Sequence, residues 1–185
     1  TNLINFLIKH KKIESNLIFI SSISASPNSY SNYSKNKFKI SEIVRFNNQT
    51  NIFLGFVDFE NSNQIKYIIK FIKFLPFSIR FSDNFFNVYL IGIDSFISKL
   101  LNLVSTQNKP NSYAMYDRVL GINDFIEFIE NKYHKKKKFK FIIPAILIKF
   151  TLPILKKFPF KIKFIDKILT FFYKDDDWIK KLNKF

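Results

Sequence analysis

Cysteine is absent from the 185 residues, so neither a disulfide framework nor a thiolate metal site is available. Histidine occurs twice, at His10 and His134, too few to build a metal centre, and no metal is expected. The three glycines, Gly55, Gly92 and Gly121, are too far apart to form a glycine-rich phosphate turn. Arginine, the residue that grips phosphate and guanine bidentately, is limited to Arg45, Arg80 and Arg118 among 30 basic residues. Long apolar runs are missing too. The most apolar window, Phe141 to Leu155, is interrupted by Lys149 and falls short of the ~20 residues a spanning helix needs. The opening TNLINFLIKHKK lacks the basic start and apolar stretch of a secretory signal. These absences lead to the expectation of a soluble, cytoplasmic protein.

What is present is lysine, asparagine, isoleucine and phenylalanine in abundance, with 25 phenylalanines and a formal charge of +16. All four residue types have codons rich in A and T, so base composition accounts for much of the charge. No nucleic-acid partner is expected on this ground. The length suits one domain with a real core, or part of a larger one.

The best-patterned stretch runs from Leu17 to Lys37, LIFISSISASPNSYSNYSKNK. Leu17 to Ile20 reads as a buried strand, apolar at consecutive positions as parallel strands are. Hydroxyls follow at Ser21, Ser22 and Ser24, then a loop with Pro27 and Asn28, then a helix from about Ser31 to Phe46. Ile52 to Val57 reads as a second buried strand. With an amphipathic helix over Asn2 to His10, the first sixty residues alternate helix, strand, helix, strand, the order of a doubly wound parallel sheet. Beyond them the pattern predicts a helix over Gln64 to Phe74 and a strand over Asn87 to Ile91. A helix N-capped by Asp94 and running through Val104 follows, then a short strand over Ser112 to Tyr116. A helix over Phe125 to Lys132 is predicted next, capped by Asn123 or Asp124. After it come a lysine-rich loop, His134 to Lys140, and a long helix opened by Pro144. The acidic triplet Asp175 to Asp177 suits a helix start.

Tyr33 and Lys37 are four residues apart and so share one face of their helix. A free phenol, with a pKa near ~10, is a poor base at neutral pH. A neighbouring ammonium is expected to lower that value and make Tyr33 a usable general acid/base. A serine at the end of the adjoining strand can hydrogen-bond the same substrate oxygen. Ser21, Ser22 and Ser24 are the candidates.

This strand, serine and Tyr-x-x-x-Lys order resembles the catalytic segment of the short-chain dehydrogenase/reductase family, in its extended branch of sugar-nucleotide epimerases, dehydratases and reductases. The likeness extends to Asn87–Asp94, to Ile143–Pro144 and to the terminal segment. It implies an α/β fold: the second half of a Rossmann-like, doubly wound parallel sheet with a smaller mixed α/β substrate lobe. Residues 1–59 would hold the Ser/Tyr/Lys site and residues 60–185 the substrate region. It further implies NAD or NADP as cofactor, a nucleotide sugar as substrate and a homodimer. Tyr33 would be the acid/base, Lys37 its partner and a holder of the nicotinamide ribose, and Ser22 the substrate-orienting hydroxyl. Gly55, Phe56 and Val57 would lie beside the nicotinamide, while Ser24 and Arg80 would contact substrate. The family's glycine-rich nucleotide fingerprint is not in this sequence and would precede Thr1. Two other readings stand beside this one. The first is a non-catalytic relative, suggested by Phe53, Phe59 and the missing fingerprint. The second is a basic protein that binds RNA or makes peripheral contact with an anionic membrane, through Lys135 to Lys138 or the aromatic stretch from Phe158 to Tyr173.

Overall fold

The computed structural model describes residues 6, 9–10, 17–29, 31–58, 74–84, 86–105, 112–133, 139–144, 146–147, 170 and 175–184. The helix expected over Gln64 to Phe74 and the aromatic stretch after Phe158 lie outside these residues, apart from Phe74 and Thr170. So do His134 to Lys138 and most of the first helix and of the helix opened by Pro144.

The sheet begins with β1 (Ile18–Ser22), which runs parallel to β2 (Thr50–Leu54) in the register Ile18 to Thr50 through Ser22 to Leu54. Between them lies α1 (Asn32–Phe46). Its start is written locally: Ser31 adopts an extended backbone and its hydroxyl accepts from the Ser34 amide at 3.0 Å. Its end is local as well. Asn48 takes the left-handed conformation (φ 51°) that asparagine tolerates, and the Asn47 and Asn48 amides close back onto Ile43 and Arg45 carbonyls. One face of α1 then buries Ser34, Ser41 and Val44.

The single strand expected over Ile52 to Val57 is in fact two. β2 pairs with β1 and with β6 (Ser112–Met115), whereas β3 (Phe56–Asp58) pairs with β5 (Asn87–Gly92). The change of partner falls at Gly55. A Cβ there would stand 2.8 Å from the Tyr89 carbonyl oxygen and 3.3 Å from that of Met115, so glycine is what lets three strands converge. β5 also pairs antiparallel with β7 (Arg118–Gly121), and β6 runs parallel to the short β9 (Asn183–Lys184). A separate parallel pair joins β4 (Ser78–Phe81) to β8 (Lys140–Ile143). The result is a mixed α/β fold built on parallel pairing, as expected. Lys140, predicted in a loop, opens a strand instead, because its register opposite Ser78 gives its backbone a partner.

Two helix starts differ from expectation. α2 (Ile93–Ser105) begins one residue before Asp94, which lies inside the first turn. The capping acceptor is Asp117, whose Oδ2 receives the Gly92 amide at 2.9 Å and whose Oδ1 receives the Ser95 hydroxyl at 2.7 Å. α3 (Ile122–Lys132) starts after Gly121 rather than at Asn123 or Asp124. Its Asn123 amide is met by Asn84 Oδ1, which frees the Asn123 side chain to bond both the amide and the carbonyl of Phe81. By contrast, Asp175 caps α4 (Asp176–Lys181) by accepting from the Trp178 amide, as the acidic triplet suggested.

Three apolar clusters hold these elements. The largest sets Val88 and Leu90 of β5 against Phe125, Ile126 and Ile129 of α3, with Phe81 and Phe86. Ile52, Ile91, Leu103 and Met115 form the second, under α2. Ile23, Tyr89, Ala114 and Ile179 form the third and seat α4. Burial of such side chains contributes roughly 1.5–3 kcal/mol each.

Candidate active site

The carboxyl end of β1 is where the chain gathers its hydroxyls. Leu17 O accepts from Thr50 N, and Ile23 N donates to Leu54 O, so the odd-numbered backbone groups face β2. By the alternation of a parallel ladder, those of Ile18, Ile20 and Ser22 face the opposite edge. Among the described residues no strand pairs there. Lys37 comes off α1 to this edge, where its Nζ donates to Ile20 O at 2.9 Å and sits 4.8 Å from the centre of the Phe19 ring.

The serines sort themselves by partner. Ser21 is buried against α1 and accepts from the Ser41 hydroxyl at 2.9 Å. It is a tie between strand and helix. Ser24 lies in the interior of a chain of hydroxyls. Ser31 Oγ accepts from Thr170 Oγ1 (2.7 Å) and donates to Ser34 Oγ (2.8 Å), which donates to Ser24 Oγ (2.9 Å). The Ser24 and Ser22 hydroxyls share a hydrogen bond of 2.9 Å in which either can donate, and Ser22 Oγ also accepts from the Ser24 amide at 3.3 Å.

Tyr33, in the first turn of α1, is 47% exposed, and its neighbour Ser34 belongs to the hydroxyl chain. Ser22 ends β1 and Lys37 reaches the Ile20 carbonyl of the same strand, while Tyr33 stands one helical turn before Lys37 on α1. The phenol is not activated as the four-residue spacing suggested. Burial raises the Tyr33 pKa above its ordinary value, and burial lowers that of Lys37. Lys37, for its part, directs its ammonium to the Ile20 carbonyl and the Phe19 ring.

Gly55 follows Leu54, the partner of Ser22 across the ladder, and abuts Tyr89 O, so its missing side chain makes room for β5. Phe56 packs edge-on against Phe125, ring centres 6.0 Å apart, and Val57 joins the cluster under α2; both are half-buried. Arg80 is on β4, and its guanidinium reaches Glu130 Oε2 at 2.8 Å, Ile79 O at 2.9 Å and the Ser78 hydroxyl. A cleft of about 330 Å³ runs along α1 between Phe38, Glu42, Arg45 and Trp178, and contains none of the three site residues. Sequence reasoning missed Ser34, whose only signal was its place inside Tyr-x-x-x-Lys, and Asp117, which carries no local signal. Among the described residues no group of histidine, aspartate and glutamate is placed to hold a metal.

No protein-family model matches the chain, and no curated protein matches it. Solved structures do. It superposes on the dTDP-glucose 4,6-dehydratase of Bacillus anthracis in complex with NAD with a TM-score of 0.59 at 12% identity, covering 77% of this chain and 53% of that one. The dTDP-4-dehydrorhamnose reductase of the same organism in complex with NADP gives 0.55 at 12% identity, covering 78% and 56%. The UDP-N-acetylglucosamine 4-epimerase of Bacillus cereus gives 0.54 at 12% identity, covering 77% and 56%. At these identities the likeness establishes the fold, which is Rossmann-like. The chain spans about half the length of these structures.

Proposed function

We propose that this chain carries the catalytic half of an NAD(P)-dependent enzyme that acts on a nucleotide-activated sugar as an epimerase, dehydratase or reductase. The observation that supports the reading is the strand, serine and Tyr-x-x-x-Lys order carried by β1 and α1: Ser22 ends a parallel strand, where ligands sit in open α/β sheets, and Lys37 reaches the Ile20 carbonyl of that strand. Its fold likeness to sugar-nucleotide enzymes supports the same reading. The residues fit a nicotinamide nucleotide in part: Lys37 offers an ammonium on the unpaired edge of β1, and Gly55 to Val57 offer backbone. When bound, the nicotinamide would accept or return a hydride at a sugar carbon. Ser22 would hydrogen-bond the substrate oxygen, and Tyr33 would move that oxygen's proton. In this reading residues 1–59 hold the site and residues 60–185 shape the substrate lobe. The glycine-rich nucleotide cradle would come from residues upstream in a longer protein.

Tyr33→Phe in the protein that carries this chain should abolish turnover of dTDP- or UDP-sugars while NADH binding, followed by its fluorescence, is retained. Undiminished turnover would sink the assignment. A second reading, a non-catalytic relative, is favoured by the raised phenol of Tyr33, which is the wrong direction for an acid/base at neutral pH. Intact NADH binding with no turnover of any sugar nucleotide by the unmodified protein would select it.

A further inference from the structure

Acidic residues are unevenly placed along the chain. Between Asn131 and Ile165 there are 11 lysines and no aspartate or glutamate, although an even spread of the chain's 14 acids would put two or three there. Base composition enriches lysine throughout but does not remove acids from one segment. The described part of this segment is also where the structure leaves large apolar side chains in water. Phe139 is 75% exposed, Ile142 is 63% exposed, and Phe141, Ile146 and Leu147 are each more than half exposed.

These side chains form a structured patch. Ser78 N donates to Phe139 O at 2.8 Å, which fixes the start of β8 beside β4. Phe141 then lies against Phe77, ring centres 5.5 Å apart, and Phe74, three residues before Phe77, is exposed too. Lys140 is exposed between Phe139 and Phe141 in sequence, on the opposite face of the strand by the alternation of side chains. Exposed aromatics on a paired strand, flanked in sequence by a lysine-rich segment without acids, are the pattern of a surface that enters the headgroup layer of an anionic bilayer. A nucleic acid would call for arginine beside its stacking platforms. Here arginine is nearly absent, and Ile142, Ile146 and Leu147 add aliphatic surface that suits lipid rather than bases.

We propose that the start of the β4–β8 pair, centred on Phe139 and Phe141, is a peripheral docking surface for an anionic lipid membrane. The contact has two parts: lysine draws the patch to the negative surface, and the phenylalanines enter the interface. No spanning segment is involved, since no helix among the described residues is long and apolar enough to cross a membrane. The proposal does not depend on the catalytic reading.

Sedimentation with vesicles tests it. With 70:30 phosphatidylcholine:phosphatidylglycerol vesicles at 0.1 M NaCl the protein should pellet, and with pure phosphatidylcholine it should bind at least tenfold more weakly. Phe139→Ser, at a position exposed enough to spare the fold, should weaken binding to the anionic vesicles about fivefold or more. Phe139→Ser combined with Phe141→Ser should weaken it further, with unchanged Trp178 fluorescence reporting an intact fold. No binding to anionic vesicles would overturn the proposal, and so would a Phe139→Ser variant that binds as well as the unmodified protein. Preference for a single-stranded RNA over these vesicles at equal salt would also overturn it and assign the charge to nucleic acid.

Discussion

Replacing Arg80 by methionine strands the carboxylate of Glu130 in the interior. The two side chains are 13% and 8% exposed and meet at 2.8 Å. At that separation, with an effective dielectric of about 20, the attraction is roughly 6 kcal/mol before the desolvation of both groups is subtracted. Glu130 Oε2 would keep only the Ser78 hydroxyl, and Oε1 already has no hydrogen-bond partner. Breaking one side of such a pair costs about 3–5 kcal/mol. For a chain of this size that lowers the melting temperature by roughly 6–20 °C. The double variant Arg80→Met with Glu130→Met removes the uncompensated charge, and its stability should return to within about 1 kcal/mol of the parent or exceed it. Urea unfolding followed by Trp178 fluorescence reads both. The cycle also bears on Arg80 as a substrate contact. If Arg80 serves only the fold, the double variant keeps whatever affinity for nucleotide sugars the protein has; a lasting loss of that affinity restores the substrate role. A loss under about 1 kcal/mol for Arg80→Met alone would refute the argument from burial.

Asp117→Asn should cost about 1 kcal/mol at pH 7, the usual worth of a helix cap. Burial pushes the Asp117 carboxyl up, but Ser95, the Gly92 amide and Lys99 together outweigh it and hold the pKa below the ordinary 3.8. Its contribution is therefore present above pH 3.8 and lost as pH falls through the lower folded value. The gap between variant and parent in urea midpoint should close below that pH; a gap constant with pH would refute the assignment. Gly55→Ala places a methyl 2.8 Å from a backbone oxygen that cannot swing away, and should cost about 1–3 kcal/mol. A loss under about 0.5 kcal/mol would show that β2 and β5 can spread at the junction.

The elements that were legible in the sequence are those whose causes are local. α1 carries its own Ser31 cap, its asparagine stop and its buried stripe, and α4 carries its Asp175 cap. β5 announces itself as an apolar run because it is buried along most of its length. β1 reads the same way in sequence, but only Ser21 of it is buried and Ile20 is exposed, since β1 lies at the edge of its sheet among the described residues. The strand–loop–helix unit that carries Ser22, Tyr33 and Lys37 was legible for the same reason: all three fall within sixteen residues of one another. What that unit does electrostatically was not. Four-residue spacing suggested an ammonium serving a phenol, but the unpaired edge of β1 supplies Lys37 with a carbonyl and an aromatic face, and burial then raises Tyr33.

Whatever depends on residues distant in sequence was decided by the tertiary structure alone. Asp117 caps α2 from beyond its far end, and Asn84 caps α3 from across β5 and α2. Asp94 and Asn123 have the right chemistry for those caps, but the strands hold closer acceptors in place. The break at Gly55 follows from the approach of β5, which nothing around residue 55 specifies. The hydroxyl chain that reaches Ser22 likewise ends at Thr170, 148 positions later in sequence. Local propensity and periodicity decide where helices and strands lie. Which oxygen receives which hydrogen is settled only when packing brings remote groups to within about 3 Å.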